Sequence, residues 1–230
     1  MSEPIVFPSG TTIAIDGSDA PLPEQATPPA RATALILLCH AGPSPDNRDD
    51  ALAVILRHAG FATLTLDLLS AREERFADKH HNVSLLANRL LDTLTRIKQR
   101  MLTAELPTLA IGLCAAGDCS PVVVRAAAIR DRDIYALVCR GGLIDLAGML
   151  YLQSLSAALL VLLDADEPGI AASNQRALRE VAGAKELKLL PASAEAADST
   201  SGFARVARES AQWFVRHLPA AATRVASGLV

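Results

Sequence analysis

The stretch TLAIGLCAAGDCSPVVVRAAA, residues 108–128, runs from apolar residues through small ones into a helical pattern. A strand that turns sharply into a helix can hold a nucleophilic side chain exposed at the turn. The nucleophilic candidate on the strand is Cys114, whereas Gly117 and Asp118 stand in the small-residue turn. A thiol attacks only as the thiolate, so this chemistry would also need a base or a nearby cation.

Polar and small residues also follow the other apolar runs. If those runs are parallel strands, their carboxyl ends meet at one edge of the sheet, where ligands bind in such folds. We therefore predict a ligand pocket at this edge, formed by His40, Ala41, Asp118, Cys119 and Arg140. We expect Arg140 to bind the loop around Asp145, with recognition of a substrate carboxylate as the alternative.

Three carboxylates, Asp118, Asp166 and Glu195, are expected near the same edge. Together they could hold a hard cation, which prefers oxygen ligands. Loop carboxylates are mostly exposed and hydrated, however, and this favours a solvated rim. We therefore predict no metal site from these residues.

The four cysteines lie at Cys39, Cys114, Cys119 and Cys139. Three end predicted strands and Cys119 begins a helix, so a metal or redox site is one interpretation. Their spacing matches no zinc motif, and free cysteine is among the most buried residue types. We favour small core residues that stay reduced in the cytoplasm, with no cofactor.

Alternating apolar and helical patterns predict an α/β fold with a doubly wound, mostly parallel sheet. The predicted strands are 33–39, 61–67, 107–114, 134–139, 157–164 and 186–191, and the predicted helices are 46–59, 83–104, 119–130, 173–183 and 203–218. The terminal helix is expected to pack one apolar face, including Trp213 and Phe214, on the sheet, and Asn82 is expected to cap the second helix. We predict one domain over residues 1–230, with a hairpin and loop in 1–32 and a frayed tail over 219–230.

Composition limits the partners. The net charge is −3, and the aromatic residues are one Trp, two Tyr and five Phe, so neither a basic surface nor stacking platforms for nucleic acid are expected. No apolar run reaches membrane-spanning length without a charge, and the N-terminus lacks a signal-peptide core. We therefore expect a cytoplasmic protein that binds neither nucleic acid nor membranes.

Several segments, taken in order, resemble the dienelactone-hydrolase-like branch of the α/β-hydrolase superfamily. They are His40–Ala41–Gly42, AGFATLTLDLL (59–69), CRGGLIDLAG (139–148), Asp166 after ALLVLLDA, and WFVRHL (213–218). The resemblance spans about Thr33 to Leu218 and implies an α/β-hydrolase fold. By the family's spacing to Arg140, the nucleophile position is Gly117.

The resemblance also implies that the catalytic triad is degenerate. No G-x-S-x-G occurs, Asp166 stands in place of the triad acid, and Glu195 stands near the place of the catalytic histidine. The only histidine after Asp166 is His217, inside the predicted terminal helix. A second alignment matches GLCAAG (112–117) to the G-x-C-x-G-G of dienelactone hydrolases, with Cys114 as nucleophile, but it also lacks the histidine.

The leading hypothesis is a pseudoenzyme or silent subunit that binds a small-molecule ligand or a protein partner, such as an active paralogous subunit. One alternative is an active esterase, thioesterase or dienelactone-type hydrolase that uses Cys114 or another unconventional group. A further alternative is a metal- or redox-responsive protein. A homo-oligomer is also compatible with the sequence.

Overall fold

The computed structural model describes residues 12–14, 32–42, 48–69, 82–191 and 199–220. Within these ranges, seven strands form one sheet in the order β1-β3-β2-β4-β5-β6-β7, and every neighbouring pair is parallel. The strands are β1 Thr12–Ala14, β2 Ala34–His40, β3 Ala62–Asp67, β4 Ala110–Ala116, β5 Ile134–Arg140, β6 Ala158–Asp164 and β7 Lys185–Leu190. The predicted doubly wound parallel sheet is therefore confirmed.

The strand order reverses between β2 and β4. From β2 the chain moves outward to β3, and it then crosses back to place β4 on the other side of β2. In parallel sheets the crevice at such a reversal is where ligands bind. The register aligns His40 with Asp67, and Ala116 with Arg140, so these strand ends form one edge around the crevice.

In the described part of the chain, six α-helices cover both faces of the sheet. Their bounds are α1 Arg48–His58, α2 Val83–Leu102, α3 Ser120–Ile129, α4 Met149–Ser154, α5 Pro168–Glu180 and α6 Ser199–Arg216. Helices α1 and α6 pack on one face, where Ile36 and Leu38 point, and α2 to α5 lie on the other, where Leu35 and Leu37 point. Burial on both faces explains why the strands are almost continuously apolar.

The terminal helix packs as its periodicity predicts. Ala207, Ser210, Trp213 and Phe214 are buried against the sheet. Phe214 lies so close to β4 that a Cβ at Gly112 would come within 2.8 Å of its ring. Glycine at this position therefore lets the helix approach the strand. The predicted cap of α2 is also confirmed, because Asn82 Oδ1 accepts a hydrogen bond from Leu85 N at 3.0 Å.

Helices α4, α5 and α6 differ most from the prediction, and α6 begins at Ser199 instead of residue 203. Helix α5 begins at Pro168 instead of residue 173, because proline at the first helical positions has no hydrogen bond to lose there. Helix α4 was not predicted, since its six residues are too short for a clear helical period. Of the predicted N-terminal hairpin, 12–14 forms an edge strand parallel to β3, and the rest lies outside the described residues. So does the predicted tail beyond residue 220.

No helix within the described ranges combines the length and the apolar character needed to cross a membrane.

Candidate functional site

The turn after β4 lies at the carboxyl edge of the sheet, next to the point where the strand order reverses. Strand β4 ends at Ala116, a 3₁₀ turn covers Gly117–Cys119, and α3 follows directly. Gly117 has a φ of +51°, in the left-handed region that side chains rarely adopt. Apart from its chain neighbours, a Cβ built on Gly117 would have no atom of the described residues within 4 Å, so these residues leave the position open. The turn thus has the sharp strand-to-helix geometry that can present a side chain, but Gly117 has only a hydrogen at this position.

The loop after β5 holds this turn in place. A Cβ at Gly142 would lie 2.0 Å from the carbonyl oxygen of Gly117, so the two backbones are in direct contact. Ser120 Oγ donates a hydrogen bond to the carbonyl of Gly141 at 2.8 Å. Gly142 also has a φ of +77°. Only glycine meets both the spatial and the conformational demand here.

The loop after β2 is fixed by two buried side chains. His40 Nδ1 lies 2.7 Å from the carbonyl oxygen of Gly42. Asp67 Oδ1 accepts hydrogen bonds from the backbone N–H of Gly42 at 2.8 Å and of Leu69 at 2.9 Å. The side chains of His40 and Asp67 are therefore both engaged with backbone groups. Ala41, the residue after His40, is half-buried.

Arg140 corrects one expectation. Its guanidinium forms a buried ion pair with Asp49 at the start of α1, in which Nη2 donates to Oδ1. Among the described contacts, Arg140 thus pairs with α1 rather than with the loop around Asp145, whose Oδ2 accepts from Ser173 Oγ on α5 at 3.1 Å. A buried guanidinium needs a carboxylate close by to offset its lost hydration. Asp49 supplies that charge from the neighbouring helix.

Cys114 lies beneath the turn with its side chain in the core shared with α1 and α6. Its exposed fraction is 0 %. Burial raises the pKa of its thiol to about 11, although the neighbouring Arg140 lowers it. At neutral pH the group is therefore a protonated thiol inside the core, which is a poor nucleophile.

The other three cysteines are also free and buried. Burial raises the pKa of the Cys139 thiol to about 12 and those of Cys39 and Cys119 above their ordinary value. Among the residues that the structure describes, no group of three or more His, Cys, Asp or Glu side chains could hold a metal ion. Their burial fits the interpretation as core residues.

The carboxylates at the edge are solvated where they are described. Asp118 and Asp166 are both exposed. Exposure at both positions agrees with the predicted solvated rim. Glu195 lies outside the described residues, so its relation to the other two stays a prediction.

His217 lies far from this edge. Its ring packs against that of Trp213 at a tilt of 50°, with ring centroids 4.2 Å apart. Trp213 Nε1 in turn donates to the carbonyl of Ala158, the first residue of β6, at 3.3 Å. This contact places His217 near the amino end of β6, whereas Asp166 follows its carboxyl end. His217 is thus not positioned to pair with Asp166 as the base of a catalytic triad.

The predicted ligand pocket is only partly open. Asp118 is exposed and Ala41 half-buried, whereas His40, Cys119 and the Arg140 side chain are buried. Ligand binding at these residues stays a prediction.

Sequence reasoning did not identify Asp49 or the role of Gly142. The Gly-Gly pair was a usable signal for a close backbone contact, but nothing local marked Asp49 as the partner of Arg140.

No protein-family model matches the sequence. Two curated relatives, from Mycobacterium tuberculosis strains CDC 1551 and H37Rv, are each 30% identical over 200 residues and are named for a proposed phosphoribosyl transferase activity. The match covers 86% of this chain but 44% of each relative, so the chain spans less than half their length.

Solved structures share the fold. A dienelactone hydrolase from Anabaena variabilis matches with a TM-score of 0.74 and 28% identity, over 83% of this chain and 89% of that one. Est1E from Butyrivibrio proteoclasticus matches with a TM-score of 0.62 and 13% identity, over 81% and 89%. A serine hydrolase homologue from Coxiella burnetii gives a TM-score of 0.56 and 14% identity, over 84% and 89%. The last two likenesses concern the fold alone.

Proposed function

The chain has an α/β-hydrolase fold of the dienelactone-hydrolase type, and on that premise we propose that it is a non-catalytic binding protein. It would bind a small molecule or a protein partner, such as an active paralogous subunit, at the carboxyl edge of its sheet. The observation that carries the proposal is Gly117. The turn that would present a nucleophile keeps its positive φ and its open surroundings, yet it bears no side chain.

Two further features support the proposal. The exposed carboxylate of Asp118 follows Gly117 directly, and a negative charge there opposes the oxyanion that acyl transfer develops. The only histidine after Asp166 in the chain is His217, which packs on Trp213 at the other end of β6. A nucleophile placed elsewhere on this edge would therefore still lack a histidine base from the usual part of the chain.

The alternative of a Cys114-dependent esterase has less support. The thiol is fully buried, and its pKa is raised to about 11. The metal or redox alternative is not supported by any cluster of metal ligands in the described part of the chain.

The four free thiols favour the reducing cytoplasm as the compartment.

The transferase activity named for the relatives calls for a separate inference. This chain matches less than half of each relative, and the matched part has a hydrolase fold. We infer that any phosphoribosyl transfer belongs to the part of the relatives that this chain does not match.

Ester hydrolysis tests the proposal. The purified chain is expected to hydrolyse p-nitrophenyl acetate no faster than an equal mass of a non-enzymatic protein, because it lacks a nucleophile with a base. Cys114→Ser should give the same rate as the wild type. Saturable turnover that disappears in Cys114→Ser would overturn the proposal and establish the esterase alternative.

A further inference from the structure

An exposed apolar surface lies on α4 and on the short turn before it. Its members are Leu146, Met149 and Leu150, which we call the α4 patch, with 56%, 56% and 72% of each residue exposed. All three side chains lie within five residues of the chain, and clustered exposed apolar side chains of this size mark interaction sites on soluble proteins. The residues of the candidate site do not include these three side chains, which are exposed and lie outside the core.

Charges of opposite sign flank the α4 patch. Helix α4 packs between α3 and α5. On the α3 side, the Arg125 guanidinium lies 4.5 Å from the centroid of the Tyr151 ring. On the α5 side, the Asp145 carboxylate is exposed and is held by Ser173. Both charges are thus fixed by contacts within the chain, one on each side of the apolar centre.

This arrangement is complementary to itself. In a twofold interface whose axis crosses the patch between its two sides, each side of one copy faces the opposite side of the other. The Asp145 carboxylate of one copy would then face the Arg125 guanidinium of the other, and the apolar centres would cover each other. We propose that the α4 patch binds a second copy of this chain and forms a twofold dimer.

The association is expected to be weak. Stable interfaces bury about 800 Å² on each partner, and three side chains supply only part of that area. Arg176, exposed on α5 one turn beyond Ser173, reduces the negative potential on the side of Asp145. The dimer would be independent of the proposed loss of catalysis, because it does not use Gly117 or the turn around it.

Sedimentation velocity on the full chain tests the dimer. The wild type is expected to change from monomer to dimer as its concentration rises from about 1 to about 300 μM, the range of a weak specific interface. Leu150→Glu should raise the dissociation constant at least about tenfold, because it places a carboxylate in the apolar centre. Leu102→Glu is the matched control: Leu102 is 79% exposed at the end of α2, and its substitution should leave the equilibrium unchanged.

A charge exchange identifies the partner as a second copy. Asp145→Arg alone and Arg125→Asp alone should each weaken the dimer, since each brings like charges together. The double variant should restore it, because the opposite charges again face each other across the twofold axis. A wild type that stays monomeric throughout, equal effects of Leu150→Glu and Leu102→Glu, or no recovery in the double variant would overturn the proposal.

Discussion

Asp49→Ala is expected to lower the free energy of unfolding by about 3–5 kcal/mol, because it leaves the Arg140 guanidinium buried without a counter-charge. The two side chains form a direct ion pair, and each is about nine-tenths buried. Arg140 also lies beside the buried Cys114 thiol, which offers no compensating negative charge at neutral pH. The loss should therefore exceed that of a surface ion pair several-fold.

Thermal unfolding followed by circular dichroism measures this effect. For a chain of this size, the expected loss corresponds to a melting temperature roughly 6–20 °C lower. Asp50→Ala is the matched control, since Asp50 is the next residue of the same helix but exposed. It should cost well under 1 kcal/mol. Equal melting temperatures for the two variants would show that the Asp49–Arg140 pair does not stabilise the protein.

Gly142→Ala is the second substitution expected to have a large effect. The new Cβ would meet the carbonyl oxygen of Gly117 at 2.0 Å and its carbonyl carbon at 2.8 Å, so one of the two backbones must move. The residue would also keep a φ of +77°, which costs an L side chain additional strain. We expect a loss of roughly 2–5 kcal/mol from the two effects together.

Gly60→Ala separates the two causes. Gly60 has a φ of +88°, but apart from its chain neighbours a Cβ there would meet no described residue within 4 Å. This control therefore carries only the backbone strain, of about 1 kcal/mol. Urea unfolding of both variants gives the comparison. If Gly142→Ala were no less stable than Gly60→Ala, the close contact between the β5 loop and the Gly117 turn would be refuted.

The parallel sheet was predictable because its strands are buried on both faces. Burial makes each strand almost uniformly apolar, as in ALILLC (34–39), and such runs stand out between helical patterns. The bounds of most elements follow within a few residues. Local patterns could not indicate α4, because six residues are too few for a clear helical period. They also could not indicate the early start of α5, because its first two residues are Pro and Gly.

The position of Gly117 at the turn also followed from the sequence, through its spacing to Arg140. The partner of Arg140 did not, because Asp49 lies 91 residues earlier and is brought close only by the packing of α1 on the sheet. Asp145 was the acidic residue nearer to Arg140 along the chain, but its carboxylate accepts a hydrogen bond from Ser173 on α5. Long-range ion pairs of this kind depend on tertiary packing, which residue spacing does not encode.

Labelling with a fluorophosphonate, followed by intact-protein mass spectrometry, tests the central claim most directly. This reagent phosphonylates hydroxyl nucleophiles that a protein activates. Because Gly117 presents no side chain at the turn, the mass of the wild type should remain unchanged. A single adduct per chain, mapped to any residue at the carboxyl edge of the sheet, would contradict the account.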